Sequence, residues 1–229
     1  MHHQDYKILD NPVWNALQTV HSNFASGTET IQRYPVDVLQ LIGCQNPGSA
    51  DLCEAEAWIS EGEKVFLVGT PAPLPPGWKI WQQLNCVQMI CPKVSGHPPK
   101  TGFDIVPLTE NDHDAMLGLV NLVQPGYFYR NTPLLGNYYG IRLGNELVAI
   151  AGERLKISGF TEISAVCTHP QFTGRGFAQQ LVHHLVTQNL DSGSIPFLHF
   201  AAGNTRAQRV YQLLGFSERR MVPFWQLGR

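Results

Sequence analysis

The chain has 229 residues, 43% hydrophobic and 15% charged, with a net charge of −2. It is long enough for a packed core, too apolar for a disordered chain, and too weakly charged for a protein that holds nucleic acid by neutralising phosphates. No apolar run is long enough to cross a bilayer, and the five scattered cysteines (Cys44, Cys53, Cys86, Cys91 and Cys167), with no CxxC pair, argue against a disulfide scaffold and against a zinc site. Residues Met1–Asp5 show no basic segment leading into an apolar one. The expectation is a cytoplasmic protein with reduced thiols and no secretory signal.

Residues 1–60 read as mostly helical and polar. A strand is expected at Val65–Val68, then a proline-rich loop over Thr70–Gly77, a short helix from Trp78 to Leu84 and a strand from Val87 to Cys91. The Pro/Gly-rich stretch Cys91–Gly102 is the best boundary, dividing the chain into residues 1–100 and 101–229. Beyond it the pattern predicts a strand at Phe103–Leu108 and a helix over Thr109–Leu122 with Thr109 as N-cap. Strands follow at Tyr138–Arg142 and Glu146–Leu155 around a Gly144-Asn145 turn, then at Glu162–Thr168. A helix from about Gly174 to Asn189 turns Phe177, Leu181, Val182, Leu185 and Val186 to one side. Strand Ile195–Phe200, helix Thr205–Leu214 and strand Val222–Leu227 complete the chain. Alternating strands and helices give an α/β (α+β) class around a mixed sheet.

The charge is uneven: the balance is −3 over residues 1–100, −3 over 101–150 and +4 over 151–229. A basic final third suits a compact polyanionic ligand. It also holds the most informative stretch. A strand ends at Thr168, Pro170 stops it, and a turn with Gly174 and Gly176 opens a helix. Backbone N–H groups of such a turn, with the positive end of the helix, form a phosphate site, and the two glycines let a pyrophosphate approach. Thr173 is placed to cap the helix or donate to phosphate. No Gly-Lys-Ser/Thr follows, so this is not a Walker loop, and Gln179 stands where a dinucleotide fingerprint needs its third glycine.

The run Val166-Cys-Thr-His-Pro-Gln171-Phe-Thr-Gly174-Arg-Gly176 resembles the cofactor motif of the GNAT acetyltransferase superfamily, Gln/Arg-x-x-Gly-x-Gly/Ala. Downstream, Asn204-x-x-Ala207-x-x-x-Tyr211-x-x-x-Gly215-Phe216 resembles that superfamily's second motif. The likeness covers roughly residues 102–229. The wording around Ala151-Gly-Glu-Arg154 and Glu162–Pro170 is similar to the branch of glycine N-acyltransferases. The order of elements at 65–91 resembles the end of a GNAT domain, so the N-terminal region is expected to be α/β and is open to reading as a degenerate half-domain.

The resemblance implies a mostly antiparallel GNAT sheet flanked by helices. It implies acetyl-CoA, or another acyl-CoA, as co-substrate and no metal. The pantetheine arm would pair with main chain near Val166, Cys167 and Thr168, and the pyrophosphate would sit on N–H groups from Gln171 through Phe172, Thr173, Gly174 and Arg175 to Gly176 and the helix start at Phe177 and Ala178. Asn204, Ala207 and Tyr211 would complete the cofactor site. Tyr211 would protonate the departing sulfur and Glu162 would be the general base, with Glu153 as its rival. Cys167 with His169 offers a covalent route that the resemblance disfavours, and adjacent His183 and His184 cannot share a helix face to bind a metal. The aromatic run Pro125–Arg130 is a candidate acceptor pocket, with Arg130 for a carboxylate. The expected activity is transfer of a short acyl group to a small-molecule amine or amino acid, without nucleic-acid or membrane partners. A homodimer, a protein acceptor and a non-catalytic acyl-CoA sensor stay open.

Overall fold

The computed structural model describes residues 6–97 and 99–229. Met1–Asp5, on which the absence of a signal was read, and Pro98 of the boundary stretch lie outside them. The described helices are α1 (Pro12–Gln18), α2 (His113–Val123), α3 (Phe177–Asp191) and α4 (Thr205–Leu213). The first strands are β1 (Ser26–Gly27), β2 (Ile31–Arg33), β3 (Leu41–Cys44), β4 (Lys64–Val68) and β5 (Lys79–Ile90). They are followed by β6 (Val106–Pro107), β7 (Tyr138–Leu143), β8 (Glu146–Ile157), β9 (Phe160–Thr168), β10 (Ile195–Ala201) and β11 (Ser217–Gly228). No described helix is long and apolar enough to cross a membrane.

The chain forms two compact units. One holds the residues up to Val36, Gln40–Cys86 and Met221–Arg229; the other holds Asp37–Leu39 and Val87–Arg220. In the first, the strand order is β1-β2-β3-β4-β11, with β3 and β4 parallel and the other pairs antiparallel. Ile31, Ile42, Leu52, Ile59, Val65, Leu67 and Leu227 make its core. Helix α1 lies directly on β3, and Gly43 permits this, because a Cβ there would be 2.7 Å from the backbone nitrogen of Trp14.

The second unit has the order β11-β5-β10-β9-β8-β7-β6. Strands β9 and β10 run parallel; β6–β7, β7–β8 and β8–β9 are antiparallel. One face of this sheet carries Met89, Val148, Ala151, Ile163, Leu198 and Phe200 against Phe177, Leu181, Val182 and Leu185 of α3 and Tyr211 of α4. The other face packs Tyr138, Ile150 and Cys167 on Met116, Leu119 and Val120 of α2. A strand sends alternate side chains to opposite faces, so one sequence serves both cores. The architecture is the expected mixed, mostly antiparallel sheet flanked by helices.

Several elements differ from the sequence reading. Residues 6–60 hold a single seven-residue α-helix and three strands. Pro12, Pro35 and Pro47 interrupt any longer helix, and the segments 31–33 (Ile-Gln-Arg) and 41–44 (Leu-Ile-Gly-Cys) are too short to carry a period that separates strand from helix. Trp78–Leu84 is not a helix: β5 runs unbroken over Lys79–Ile90. The strand expected at 103–108 is reduced to Val106–Pro107. The stretch 91–102 lies inside the second unit, where the Cys91 N–H donates to the Pro196 carbonyl (2.9 Å) and the Ser95 N–H to that of Leu214 (3.0 Å).

Candidate active site

The site begins where two parallel strands part. The β9–β10 ladder pairs Phe160, Thr161 and Glu162 with Ile195, Pro196 and Phe197. It stops there, although β9 continues to Thr168 and β10 to Ala201. Beyond Glu162 and Phe197 the two strands are not paired to each other, so Glu162 marks the apex of the wedge between them.

A bulge shapes one wall. Ile150 pairs with Cys167 and Gly152 with Ser164, so β9 spends three steps where β8 spends two. Ala165 absorbs the extra residue at φ +51°, the one non-glycine residue at positive φ among the described residues. Such a bulge re-aims main-chain groups away from the ladder.

At the mouth, His169 Nδ1 accepts from the Gln171 N–H (3.3 Å) and the Thr173 hydroxyl donates to the Pro170 carbonyl (3.2 Å). Gln171 and Thr173–Arg175 are exposed and Phe172 is half-buried beneath the Arg175 guanidinium, 5.1 Å from its ring centre. Gly174 (φ +83°) has open space where a Cβ would stand. Gly176 (φ +82°) is the N-cap of α3, and no side chain caps that helix. The first N–H groups of α3, beginning at Phe177 and Ala178, therefore open onto the turn with the helix dipole behind them.

Helix α4 packs against β10 through Tyr211 and Phe200. Asn204 caps it, its Oδ1 accepting from the Ala207 N–H at 3.1 Å. Tyr211 is buried between Phe200 and Phe216, with ring centres 5.7 and 5.8 Å away. Burial, and then the neighbouring Cys167 thiol, push its phenol above the ordinary range, so it is held as a proton donor. Val166, near the end of β9, packs against the same core as Tyr211.

Glu162 is fully buried. Arg154 grips it with two bonds, Nε to Oε2 at 2.9 Å and Nη2 to Oε1 at 2.7 Å, and His199 Nδ1 lies 2.7 Å from Oε1. Burial alone would raise its pKa, but the Arg154 charge and the His199 bond outweigh that and hold the carboxyl at about 2. Glu153 lies elsewhere: its oxygens take Asn189 Nδ2 of α3 (2.8 Å), the Asn137 N–H (2.9 Å) and Lys156 Nζ (2.7 Å). Burial pushes the Cys167 thiol up to about 11, which removes the thiolate a covalent route needs.

Arg130 pairs on the surface with Asp114 at 2.9 Å. In the aromatic run beside it, Phe128 is buried edge-on against Tyr138 and the Tyr129 hydroxyl donates to the Gly126 carbonyl. His184 meets Tyr139 edge-on, and the described residues contain no cluster of three metal-ligating side chains.

Sequence reasoning missed Arg154 and His199 as site residues. Arg154 had a readable signal. Ile157 pairs with Phe160 across the Ser158-Gly159 turn, so counting back along the hairpin sets Arg154 nearly opposite Glu162. His199 had only its parity on β10.

Residues 138–225 match the family model described as FR47-like protein. A crystal structure from Novosphingobium aromaticivorans, assigned to the acetyltransferases of the GNAT family, is 32% identical. The match covers 96% of this chain and 98% of that one, with a TM-score of 0.86. A GCN5-related N-acetyltransferase from Kribbella flavida, 16% identical over 95% of each chain, superposes with a TM-score of 0.64. A GCN5-related N-acetyltransferase-like protein from Streptococcus suis, 14% identical over 88% of this chain and 82% of that one, gives 0.53. These last two show the fold alone. No curated protein matches the sequence. On the full-length likeness to the Novosphingobium structure, the chain belongs to the GNAT family of acetyltransferases.

Proposed function

We propose that this protein moves an acetyl or other short acyl group from acyl-CoA to the amine of a small molecule or amino acid, by direct attack and in the cytoplasm. The observation that carries the reading is the early end of the β9–β10 ladder, beyond which the two strands run on without pairing to each other. An amide-bearing arm fits between them as an added strand, against Val166, Cys167 and Thr168. The turn from Gln171 to Gly176 and the start of α3, which no side chain caps, follow β9 in the chain and suit a pyrophosphate. Asn204 and Ala207, at the start of α4, complete the cofactor site in this proposal. Residues 101–229 carry the catalytic function in this proposal.

Two proton movements are needed: an ammonium acceptor must lose a proton before attack, and the leaving sulfur must gain one. Tyr211, buried and protonated beside Cys167, is the proposed acid. Glu162 lies at the apex on the acceptor side.

Calorimetric titration with acetyl-CoA and with longer acyl-CoAs tests the cofactor site. Thiol release over a panel of amino acids, polyamines and short peptides then names the acceptor. Saturable acetyl-CoA binding and one class of amine that releases thiol are expected. Failure to bind any acyl-CoA removes the reading, and binding without release over the whole panel replaces it with a sensing module.

A further inference from the structure

Acyl transfer as proposed above, on which this inference rests, calls for a base near the apex of the wedge. Six adjacent strands, in the order β11-β5-β10-β9-β8-β7, each contribute one polar side chain to a single row: Arg219, Gln88, His199, Glu162, Arg154 and Tyr138. Their chain neighbours Val87, Met89, Leu198, Phe200 and Ile163 belong to the core under α3 and α4, so the row occupies the opposite face. Arg219 Nη1 donates to Gln88 Oε1 at 2.8 Å, Gln88 Nε2 lies 3.0 Å from His199 Nε2, and His199 Nδ1 lies 2.7 Å from Glu162 Oε1.

The ends of the row fix its direction. An arginine only donates, so the Gln88 oxygen faces Arg219 and its NH2 faces His199. His199 Nε2 is then an acceptor, and Nδ1 carries the proton given to Glu162. Carboxylate to Nδ1–H, with the lone pair at Nε2, is the arrangement that makes an imidazole a base and steadies the imidazolium it becomes.

We propose that His199 accepts the proton of the acceptor amine and that Glu162 is its positioning residue. His199 lies two residues beyond Phe197, where β10 has already left β9. It stands on the face opposite Tyr211, so base and acid flank the wedge from its two sides. Both oxygens of Glu162 are committed to Arg154 and His199. Its low pKa also makes it a poor match for an ammonium, because a general base works best near the operating pH.

The protons balance. The ammonium gives one proton to Nε2, displacing the Gln88 amide, and the freed nitrogen lone pair forms the N–C bond as the carbonyl pair moves to oxygen. On collapse the C–S bond breaks, its pair stays on sulfur, and Tyr211 protonates the sulfur. The remaining excess proton on nitrogen returns through solvent to Tyr211, and the proton on Nε2 leaves to solvent. The charged and titratable groups around the ring are Glu162 and Arg154 from β9 and β8, Arg219 through Gln88 from β11 and β5, and Tyr138 from β7, which is electrostatically coupled to both Arg154 and Glu162.

The test uses the full chain, with acetyl-CoA and the most active amine of the panel. Acetyl-CoA affinity, read by calorimetry, separates the two claims: no binding to the wild type removes the acyl-transfer reading itself. With binding intact, the wild-type kcat is expected to fall on the acid side of neutrality. H199Q, or H199N should the first not fold, is expected to lose about 10²- to 10⁴-fold in kcat and to lose that acid limb, with acetyl-CoA affinity unchanged. E162Q is expected to keep the limb but shift it to lower pH, because a neutral amide no longer stabilises the imidazolium. Long-range ¹H–¹⁵N NMR of the imidazoles, which needs no acceptor, is expected to show His199 as the Nδ1–H tautomer. An Nε2–H tautomer, a wild-type profile without an acid limb, or a limb kept in H199Q and abolished in E162Q overturns the proposal.

Discussion

Two glycines two residues apart divide the turn after β9 into a part needed for folding and a part proposed for binding. A Cβ on Gly176 would meet Pro99 Cγ at 2.4 Å and Cβ at 3.1 Å, whereas a Cβ on Gly174 would meet nothing within 4 Å. Both have φ near +80°, so replacing either by alanine carries about 1–2 kcal/mol of left-handed strain. A stiffer unfolded chain offsets about 0.4–1 kcal/mol of this. Gly174→Ala should then cost about 0–1.6 kcal/mol. Gly176→Ala adds overpacking against a rigid ring, about 1–3 kcal/mol, for about 1–4.6 kcal/mol in all. Urea denaturation of the two variants beside the wild type reads the difference directly. Equal losses, or a larger loss at Gly174, would refute the reasoning. Gly174→Glu completes the comparison: it should leave a folded protein that no longer binds acetyl-CoA, because bulk and negative charge enter the proposed phosphate site. Retained affinity would make the turn merely structural.

Tyr211→Phe should lower kcat by about 10²-fold and leave acetyl-CoA affinity within about twofold, since only the acid is lost; unchanged turnover in the thiol-release assay removes that role. Cys167→Ala should keep turnover within about tenfold, because a buried thiol near pKa 11 supplies almost no nucleophile at neutral pH. A loss beyond about 10³-fold, or a trapped acyl-enzyme in mass spectrometry, would restore the covalent route. Glu162 also predicts an acid-sensitive fold. Its pKa is about 2 folded and about 4.3 in the unfolded chain, so its contribution is complete above pH ~4.3 and drains as pH falls towards 2. The amount is at most about 3 kcal/mol. Stability measured against pH should fall less steeply in E162Q over that window, and parallel curves would contradict the assignment.

What the sequence made legible was local. Alternation and the Gly144-Asn145 turn mark the β7–β8 hairpin. The apolar stripe from Phe177 to Val186 marks α3, and Pro170 with two glycines marks the turn between β9 and α3. Each depends on neighbours in sequence. The N-terminal strands were not legible, because segments of three and four residues such as Ile31–Arg33 and Leu41–Cys44 fit either state until a partner strand selects one. The same limit hid β5. Residues Lys79–Asn85 are almost all exposed and lack a buried face, so nothing in their pattern signals a strand.

Glu162 shows why a motif can locate a residue without giving its chemistry. Its position on the strand before the glycine turn was readable, and so was a carboxylate at the wedge. Whether that carboxylate takes a proton depends on the strands either side. On β8 a second register shift, between Glu153 and Lys156, spends three steps against two on β9 and brings Arg154 onto both Glu162 oxygens. On β10, His199 takes its place at Oε1. A lone carboxylate in that burial would be pushed up towards neutrality and would make a competent base. One gripped by a guanidinium is instead a fixed negative charge, and a fixed charge beside an imidazole does its work by orienting the ring and stabilising its cation. The substitution that separates these cases is therefore at Arg154. Removing the guanidinium in Arg154→Met should raise the Glu162 pKa and weaken the fold by about 3–5 kcal/mol, because the buried charge loses its partner. If the variant is instead as stable as the wild type over the whole range from pH 5 to 8, the ion pair does not hold Glu162 as argued, and the carboxylate returns as the simpler candidate for the base.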